Sequence, residues 1–365
     1  MTFSYPSLAE LGDEAWDDLV RSSPDGWVFS LAGWQRLVTA VTEWGFIERG
    51  FGVMEGSRLR AVVPFHFRPE HRVSGSSGWG GSGPVIAGSL TGAARDAIFA
   101  AAVARMTELA KADGATTLEL SCAPVTTSSL ANRWGVNPFV FHGFEDASRL
   151  SQVLDLSSGA EALWDALAKT ARQAVRKAEK AGFRAERVDW RQHLDAYYAC
   201  HVETYTRTGV SPHPRRYFEG IAARTAPTGD SVLFVALTPH GEPVAFHNDA
   251  RFGPGATYHT GCSRTALRRE GLDYLLMWHA ILDAQRSNLG WYDCGWIFPG
   301  ATDTKQQGLT LFKTRFGGEA HRAFAAKRQL EGKVSLSAPE VSQPARPSHV
   351  RRLATDALRV LGVRL

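Results

Sequence analysis

The stretch GLDYLLMWHAILDAQRSNLGWYDCGW, residues 271–296, reads as a helix and then a strand. The helix runs from Leu272 to Ser287, a stop falls near Gly290, and Trp291–Cys294 is the strand. Three strands precede it. Ser231–Leu237 is followed by the turn Pro239-His240-Gly241, then by Pro243–Arg251 and Ala256–Cys262. A strand, a helix and a strand joined by short connections predict an α/β unit with a mixed sheet.

The first 150 residues repeat this order. Leu31–Val41 predicts a helix capped by Ser30. Phe46–Met54 and Leu59–His66 predict strands around the turn Glu55-Gly56-Ser57. A Gly/Ser-rich loop spans Gly75–Pro84, a helix Thr91–Asp113 stops at Gly114, and Thr116–Leu120 is a strand. The halves share no visible identity, so the repeat is architectural. A further helix opens the second half behind the capping-box pair Ser158 and Glu161. Its apolar stripe runs from Leu163 to Ala178, and Gly182 ends it. The division is 1–150, 151–330, and a tail 331–365. The tail combines a linker bearing Pro339, Pro344 and Pro347 with an amphipathic helix, for which docking on the body is expected ahead of a membrane-surface role.

The chain has 365 residues, a prior of about two domains of roughly 150 each. With 44% hydrophobic and 21% charged residues it is neither disordered nor fibrous. No run approaches the roughly 18 apolar residues of a membrane helix. The acidic start MTFSYPSLAELGDEAWDDL does not resemble a signal peptide, so a cytoplasmic location is expected. Cys122, Cys200, Cys262 and Cys294 lie far apart, which predicts packing thiols and no metal site.

Charge is concentrated in one place. Lys169, Arg172, Arg176, Lys177, Lys180, Arg184, Arg187 and Arg191 are opposed only by Glu179, Glu186 and Asp189. That is eight minus three, or +5, against +4 for the whole chain. Lys169, Arg172, Arg176 and Lys180 fall on one helical arc of about 80°. Phosphate or RNA binding and an ordinary solvated face fit this arc equally. The loop Gly78-Trp79-Gly80-Gly81-Ser82-Gly83 matches G-x-G-x-x-G. It leads into Pro84 and a β-like pair, so it predicts a flexible loop beside a cleft and no dinucleotide site. Arg268-Arg269-Glu270-Gly271-Leu272-Asp273 occupies the place of the Q/R-x-x-G-x-G/A cradle of acyl-CoA-dependent GNAT acetyltransferases. Asp273 at its last position would repel a pyrophosphate.

The runs TARQAVRKAEKAGF, YTRTGVSPHPRRYF, GATYHTGCS, GLDYLLMWHAILDAQRSNLGWYDCGW and GLTLFKTRFGGE resemble the Fem-type aminoacyltransferases. The resemblance implies two tandem GNAT-like domains, each a mixed sheet flanked by helices. The sequence has no heptad run for a helical-hairpin arm. It implies an aminoacyl-tRNA donor, an amine acceptor such as a cell-wall precursor peptide or an antibiotic intermediate, and no cofactor. Lys313 in LFKTRFG matches the lysine that supports the oxyanion, and Tyr258 matches a substrate-facing strand tyrosine. Asp293 either orients the amine or caps the following loop. Arg36, Arg207, Arg216 and Tyr217 match regions that hold an anionic acceptor. His247 and His259 sit on adjacent strands, and either could take the amine's proton. Lys169, Arg172, Arg176, Lys177 and Lys180 are the expected tRNA contacts. The family's first-domain acid has no match, because this chain reads LELSCAP and the nearest carboxylate is Glu119. The rival expectations are an acyl-CoA-dependent N-acyltransferase and a non-enzymatic RNA-binding module.

Overall fold

The computed structural model describes residues 2–330, so the expected linker and tail helix lie outside the described residues. The first half contributes strands β1 (Phe3–Ser4), β2 (Ile47–Glu48), β3 (Phe51–Glu55), β4 (Arg58–Val63), β5 (His66–Arg68), β6 (Val73–Ser76), β7 (Val85–Ile86), β8 (Thr117–Ser121) and β9 (Glu145–Asp146). Its helices are α1 (Leu8–Leu11), α2 (Asp13–Ser22), α3 (Ala32–Ala40), α4 (Gly92–Ala112) and α5 (Thr127–Ala131). The second half adds β10 (Arg149–Asp155), β11 (Arg184–Val188), β12 (Ser231–Leu237), β13 (Pro243–Phe252), β14 (Gly255–Ser263), β15 (Trp291–Ile297), β16 (Glu319–Ala323) and β17 (Ala325–Gln329). Its helices are α6 (Gly159–Ala166), α7 (Lys169–Lys180), α8 (Trp190–Arg207), α9 (Arg215–Gly220), α10 (Leu272–Arg286) and α11 (Thr304–Thr314).

The second-half sheet runs β11-β12-β13-β14-β15-β10-β16. The first half forms a four-stranded sheet, β1-β3-β4-β7, and a six-stranded one, β2-β5-β6-β8-β17-β9. Each half contains one parallel pair bridged by a helix. In the first it is β6 and β8 across α4, and in the second β14 and β15 across α10. One strand also crosses from the second half to the first. β10 lies between β15 and β16, while β17 lies between β8 and β9, so the last strand of the 151–330 unit completes the first-half sheet. Pulling the halves apart would therefore strip two ladders of their hydrogen bonds.

Packing follows the strand alternation. Ala245, Ala256, Tyr292 and Cys294 face one side of the second sheet, under α7 and α10 with Val175, Leu275 and Ile281. Leu233, Val235, Phe246 and Ala250 face the other side and share a core with first-half Trp16, Trp27, Trp34 and Leu37. Phe51, Phe65, Ile98, Met106 and Leu118 form the first half's own core under α4.

Local differences from the sequence reading have identifiable causes. The expected single helix through 163–178 is two helices, α6 and α7. Leu167 turns extended at ψ 139° and buries its side chain, and the Ala168 N–H bonds to the Arg315 carbonyl. Arg172 then takes the Trp164 and Asp165 carbonyls freed at the end of α6, at 3.3 and 2.7 Å. The Ser158 capping box does not form, since Ser158 is helical and makes no side-chain cap. Ser30 does not cap α3. Its hydroxyl bonds to the Ser82 carbonyl, and Asp17 takes the Ala32 N–H. The expected strand Phe46–Met54 breaks at Arg49-Gly50, where Arg49 N–H bonds to the Phe65 carbonyl.

Candidate active site

The parallel pair β14–β15 holds only through Gly255–Thr257 against Trp291–Asp293. Beyond that the strands part. Tyr258–Ser263 stays with β13, and Trp296 and Ile297 stay with β10. A wedge-shaped gap opens at this point in the sheet. Opposite it, β13 pairs Asn248 with Thr260 and Asp249 with Tyr258, so His259 is the extra residue of a β-bulge.

Two groups meet at the apex. Asp293 is buried, and its Oδ1 accepts the Ser151 hydroxyl and the Gly295 N–H, the latter at 2.7 Å. Its Oδ2 accepts the Thr257 hydroxyl at 2.7 Å. Lys313, on the last turn of α11, is 9% exposed and donates to the Trp296 carbonyl at 2.7 Å. Gly295 permits that approach. It sits at φ +91°, and a Cβ there would lie 3.0 Å from the lysine Nζ. Burial lowers the Lys313 pKa to about 8, against the opposing pull of Asp293 and Cys294. Burial raises the Asp293 carboxyl, while its three donors and Lys313 pull it back.

One face of the gap carries a second network. His247 is 3% exposed, and its Nε2 lies 2.8 Å from Asp249 Oδ1 and 2.9 Å from the Tyr292 hydroxyl. Asp249 is fully buried and also accepts from Tyr292 at 2.6 Å and Arg251 at 3.1 Å. Burial pushes its carboxyl up, but His247, Arg251 and Tyr292 outweigh that and hold it below the ordinary value. Tyr258 stacks on His247 with centroids 4.6 Å apart.

The opposite face is the junction between the halves. His259 Nε2 lies 2.8 Å from the Tyr217 hydroxyl. Trp79 stacks on Tyr217 at 5.3 Å and stands edge-on to His259 at 4.9 Å. The Gly/Ser-rich loop carrying Trp79 is anchored, because Trp34 Nε1 donates to the Trp79 carbonyl at 2.6 Å and Gln35 reaches the Gly80 carbonyl. First-half residues also cover β15 and β16. Arg133 lies over Trp291, and Trp134 lies against His321.

The structure thus brings Lys313 to Asp293 and His247 to Tyr258. It gives each expected acceptor-binding arginine a partner of its own. Arg36 pairs with Asp13, Arg207 bonds to Thr265 at 3.1 Å, and Arg216 pairs with Glu43 at 3.3 Å. Tyr217 is buried in the junction. On α7, Arg172 caps α6, Arg176 covers the Trp164 ring, and Lys177 pairs with Glu270 at 3.0 Å. Lys169 and Lys180 are exposed and have no hydrogen-bond or ion-pair partner among the described residues. Sequence reasoning missed Ser151, Thr257, Asp249 and Tyr292. The row His247-x-Asp249-x-Arg251 was a signal, since three polar residues at period two on an apolar strand face one side. Among the described residues no cluster of His, Cys, Asp or Glu could hold a metal, and no helix is long and apolar enough to cross a membrane.

Residues 166–306, which include α10 and the parted strands, match the family described as acetyltransferase (GNAT) domain. The structure of FemX matches with a TM-score of 0.68 at 16% identity, over 90% of this chain and 98% of that one. The chain has the tandem-GNAT fold seen in FemX. A tandem GNAT protein from the clavulanic acid biosynthesis pathway matches this tandem-GNAT chain at TM-score 0.55 and 13% identity, over 91% of this chain and 100% of that one. The C-terminal domain of a putative lysylphosphatidylglycerol synthetase from Agrobacterium fabrum matches at 0.53 and 15%, over 87% and 91%. No curated protein matches in sequence. The match in the second half is thus to a GNAT acetyltransferase domain over residues 166–306.

Proposed function

We propose that this tandem-GNAT chain transfers an amino acid from aminoacyl-tRNA to the amine of a small acceptor, forming an amide. The observation that carries the reading is Lys313 beside Asp293 at the apex of the parted strands. The acceptor nitrogen attacks the ester carbonyl carbon, and negative charge builds on the carbonyl oxygen. The Lys313 ammonium, its pKa lowered by burial to about 8, offsets that charge. The carbon–oxygen bond to the tRNA then breaks. The leaving 3′ oxygen gains a proton, and the amine nitrogen loses one, so the products are one amide and one free 3′ hydroxyl. The ester is already activated, so the reaction calls for no metal or nucleotide cofactor.

Acceptor entry fits the junction side of the gap, where Trp79, Tyr217 and His259 gather. The two unpaired lysines of α7, Lys169 and Lys180, are the sites left for the tRNA backbone. An acyl-CoA donor is disfavoured by the exposed Asp273 at the start of α10, where a pyrophosphate would sit. The deciding experiment offers the protein a mixed amine pool with either a labelled amino acid on bulk tRNA or labelled acetyl-CoA. Label passing to an amine only from tRNA supports the reading, and label passing only from acetyl-CoA overturns it.

A further inference from the structure

Amide formation brings two substrates to one point, and the junction face of the gap has two flanks. The β14 flank carries His259 with Tyr217 and Trp79. The β15 flank carries a separate set. Trp296 of β15 and His321 of β16 both stand opposite Ser151 of β10, so the three side chains share a face. Trp291 lies on that face too, its ring 5.7 Å from His321. From the first half, Arg133 and Trp134, just after α5, close over them. The Trp134 ring lies 5.8 Å from His321. The Arg133 guanidinium lies 5.6 Å from the Trp134 ring and 5.8 Å from that of Trp291.

Trp134 is 68% exposed, yet its loop is pinned. Asn137 Nδ2 donates to Asp146 Oδ1 and to the Ala325 carbonyl, both at 2.8 Å. Arg133 donates to the Leu130 carbonyl at 2.8 Å, and Asn132 to the Val136 carbonyl at 3.1 Å. An indole surface is thus held out in a set position, which lowers the ordering cost of binding. Charge on this face is balanced. Arg133 and Arg149, the latter 4.3 Å over the Trp296 ring, stand with the exposed Glu319 and Asp155. A balanced aromatic surface suits a flat π system better than a bare phosphate.

The same face leads to the apex. Ser151 donates to Asp293, the Gly295 N–H bonds to that carboxylate, and Lys313 donates to the Trp296 carbonyl. His321 and Trp296 flank Ser151 on neighbouring strands, so they stand two strand spacings apart, about 10 Å. Lys169 opens α7 close by, since the Ala168 N–H bonds to the carbonyl of Arg315, two positions beyond Lys313. We infer that Trp134, backed by Arg133, Trp291 and His321, is a stacking platform for an unpaired base at the 3′ end of the donor tRNA. This assignment rests on the aminoacyl-transfer reading. The base lies on the indole while the ester reaches Lys313, and the backbone phosphates are left to Lys169 and Lys180. Donor and acceptor then enter by opposite flanks of the gap.

The test compares the affinity for bulk deacylated tRNA, intact or with its unpaired 3′ nucleotides removed. Wild type should bind the intact form more tightly. Trp134→Ala should weaken the intact form by about 5–100-fold, the worth of one stacked base, and leave the trimmed form unchanged. Trp134→Phe should recover part of the loss. The slope of log affinity against log salt should hold in Trp134→Ala, because stacking releases no counterions. The melting temperature should hold as well, because the side chain is mostly exposed. Equal affinity of wild type for the two forms, or no difference between them in the effect of Trp134→Ala, would overturn the platform and leave aminoacyl transfer standing. Amide formation from acetyl-CoA with neither tRNA form bound would overturn both.

Discussion

The two parallel strand pairs start alike and end differently. In the first half β6 and β8 pair from Val73–Ser76 to Thr117–Leu120, and then the chain folds back across the opening. Gly78 N–H bonds to the Ser121 hydroxyl at 3.0 Å, Gly83 N–H to the Ser121 carbonyl at 3.2 Å, and Ala123 N–H to the Ser82 hydroxyl at 3.3 Å. In the second half β14 and β15 part with no such strap among the described residues, and the gap receives Lys313, Asp293, Tyr258 and His247. A sheet satisfies its backbone by pairing, so an opening must be plugged or given to solvent and ligand. This protein does one in each half. The plug also carries Trp79 to the junction, so the closed half builds a wall for the open one.

That contrast breaks first at Lys313. Lys313→Ala should lower turnover by about 10²–10³-fold with little change in melting temperature. Glu119→Gln, which alters the plugged pair where Glu119 meets Arg68 and Ser77, should change turnover by less than about threefold. Steady-state kinetics on both variants with one donor and one acceptor decide it. If Glu119→Gln is the more damaging, the closed half carries the chemistry.

The wall can be removed next. Trp79→Ala strips the ring contacts with Tyr217, His213 and His259, and should cost about 2–4 kcal/mol in denaturant unfolding. It should also raise the acceptor KM more than the donor KM. A cost below about 1 kcal/mol would make the loop a peripheral ornament.

The pH profile sharpens the open half. Lys313 acts charged, and its pKa is lowered to about 8, so kcat should fall about tenfold per unit as pH rises above about 8. An unperturbed lysine would hold kcat flat to beyond pH 10. A rise in kcat through pH 8 would instead make the lysine a base.

The smallest effect separates the five α7 cations. Changing Lys169 and Lys180 to Gln should flatten the slope of log affinity for tRNA against log salt by about one to two units. It should leave unfolding unchanged. Arg172→Gln, which uncaps α6, should lower stability by about 1 kcal/mol. An unchanged salt slope in the double variant would leave the tRNA backbone without α7.

The sequence by itself determined most of the second-half scaffold. Ser231–Leu237 is a strand with the same ends in the reading and the structure, and α10 ends one residue short of the expected Ser287. Short-range periodicity suffices there because each element buries one continuous apolar face. The wedge between β14 and β15 was not legible, because strand divergence leaves no mark in local pattern. The break at Leu167 and the pairing of Arg36 with Asp13 were equally silent. The apolar stripe runs through Leu167 without interruption, and an arginine's partner is chosen by packing 23 positions away. Lys313 was legible only as a resemblance. Its burial, its lowered pKa and its approach over Gly295 were decided by the tertiary structure, because desolvation depends on what surrounds a charge in space and not on its neighbours in the chain.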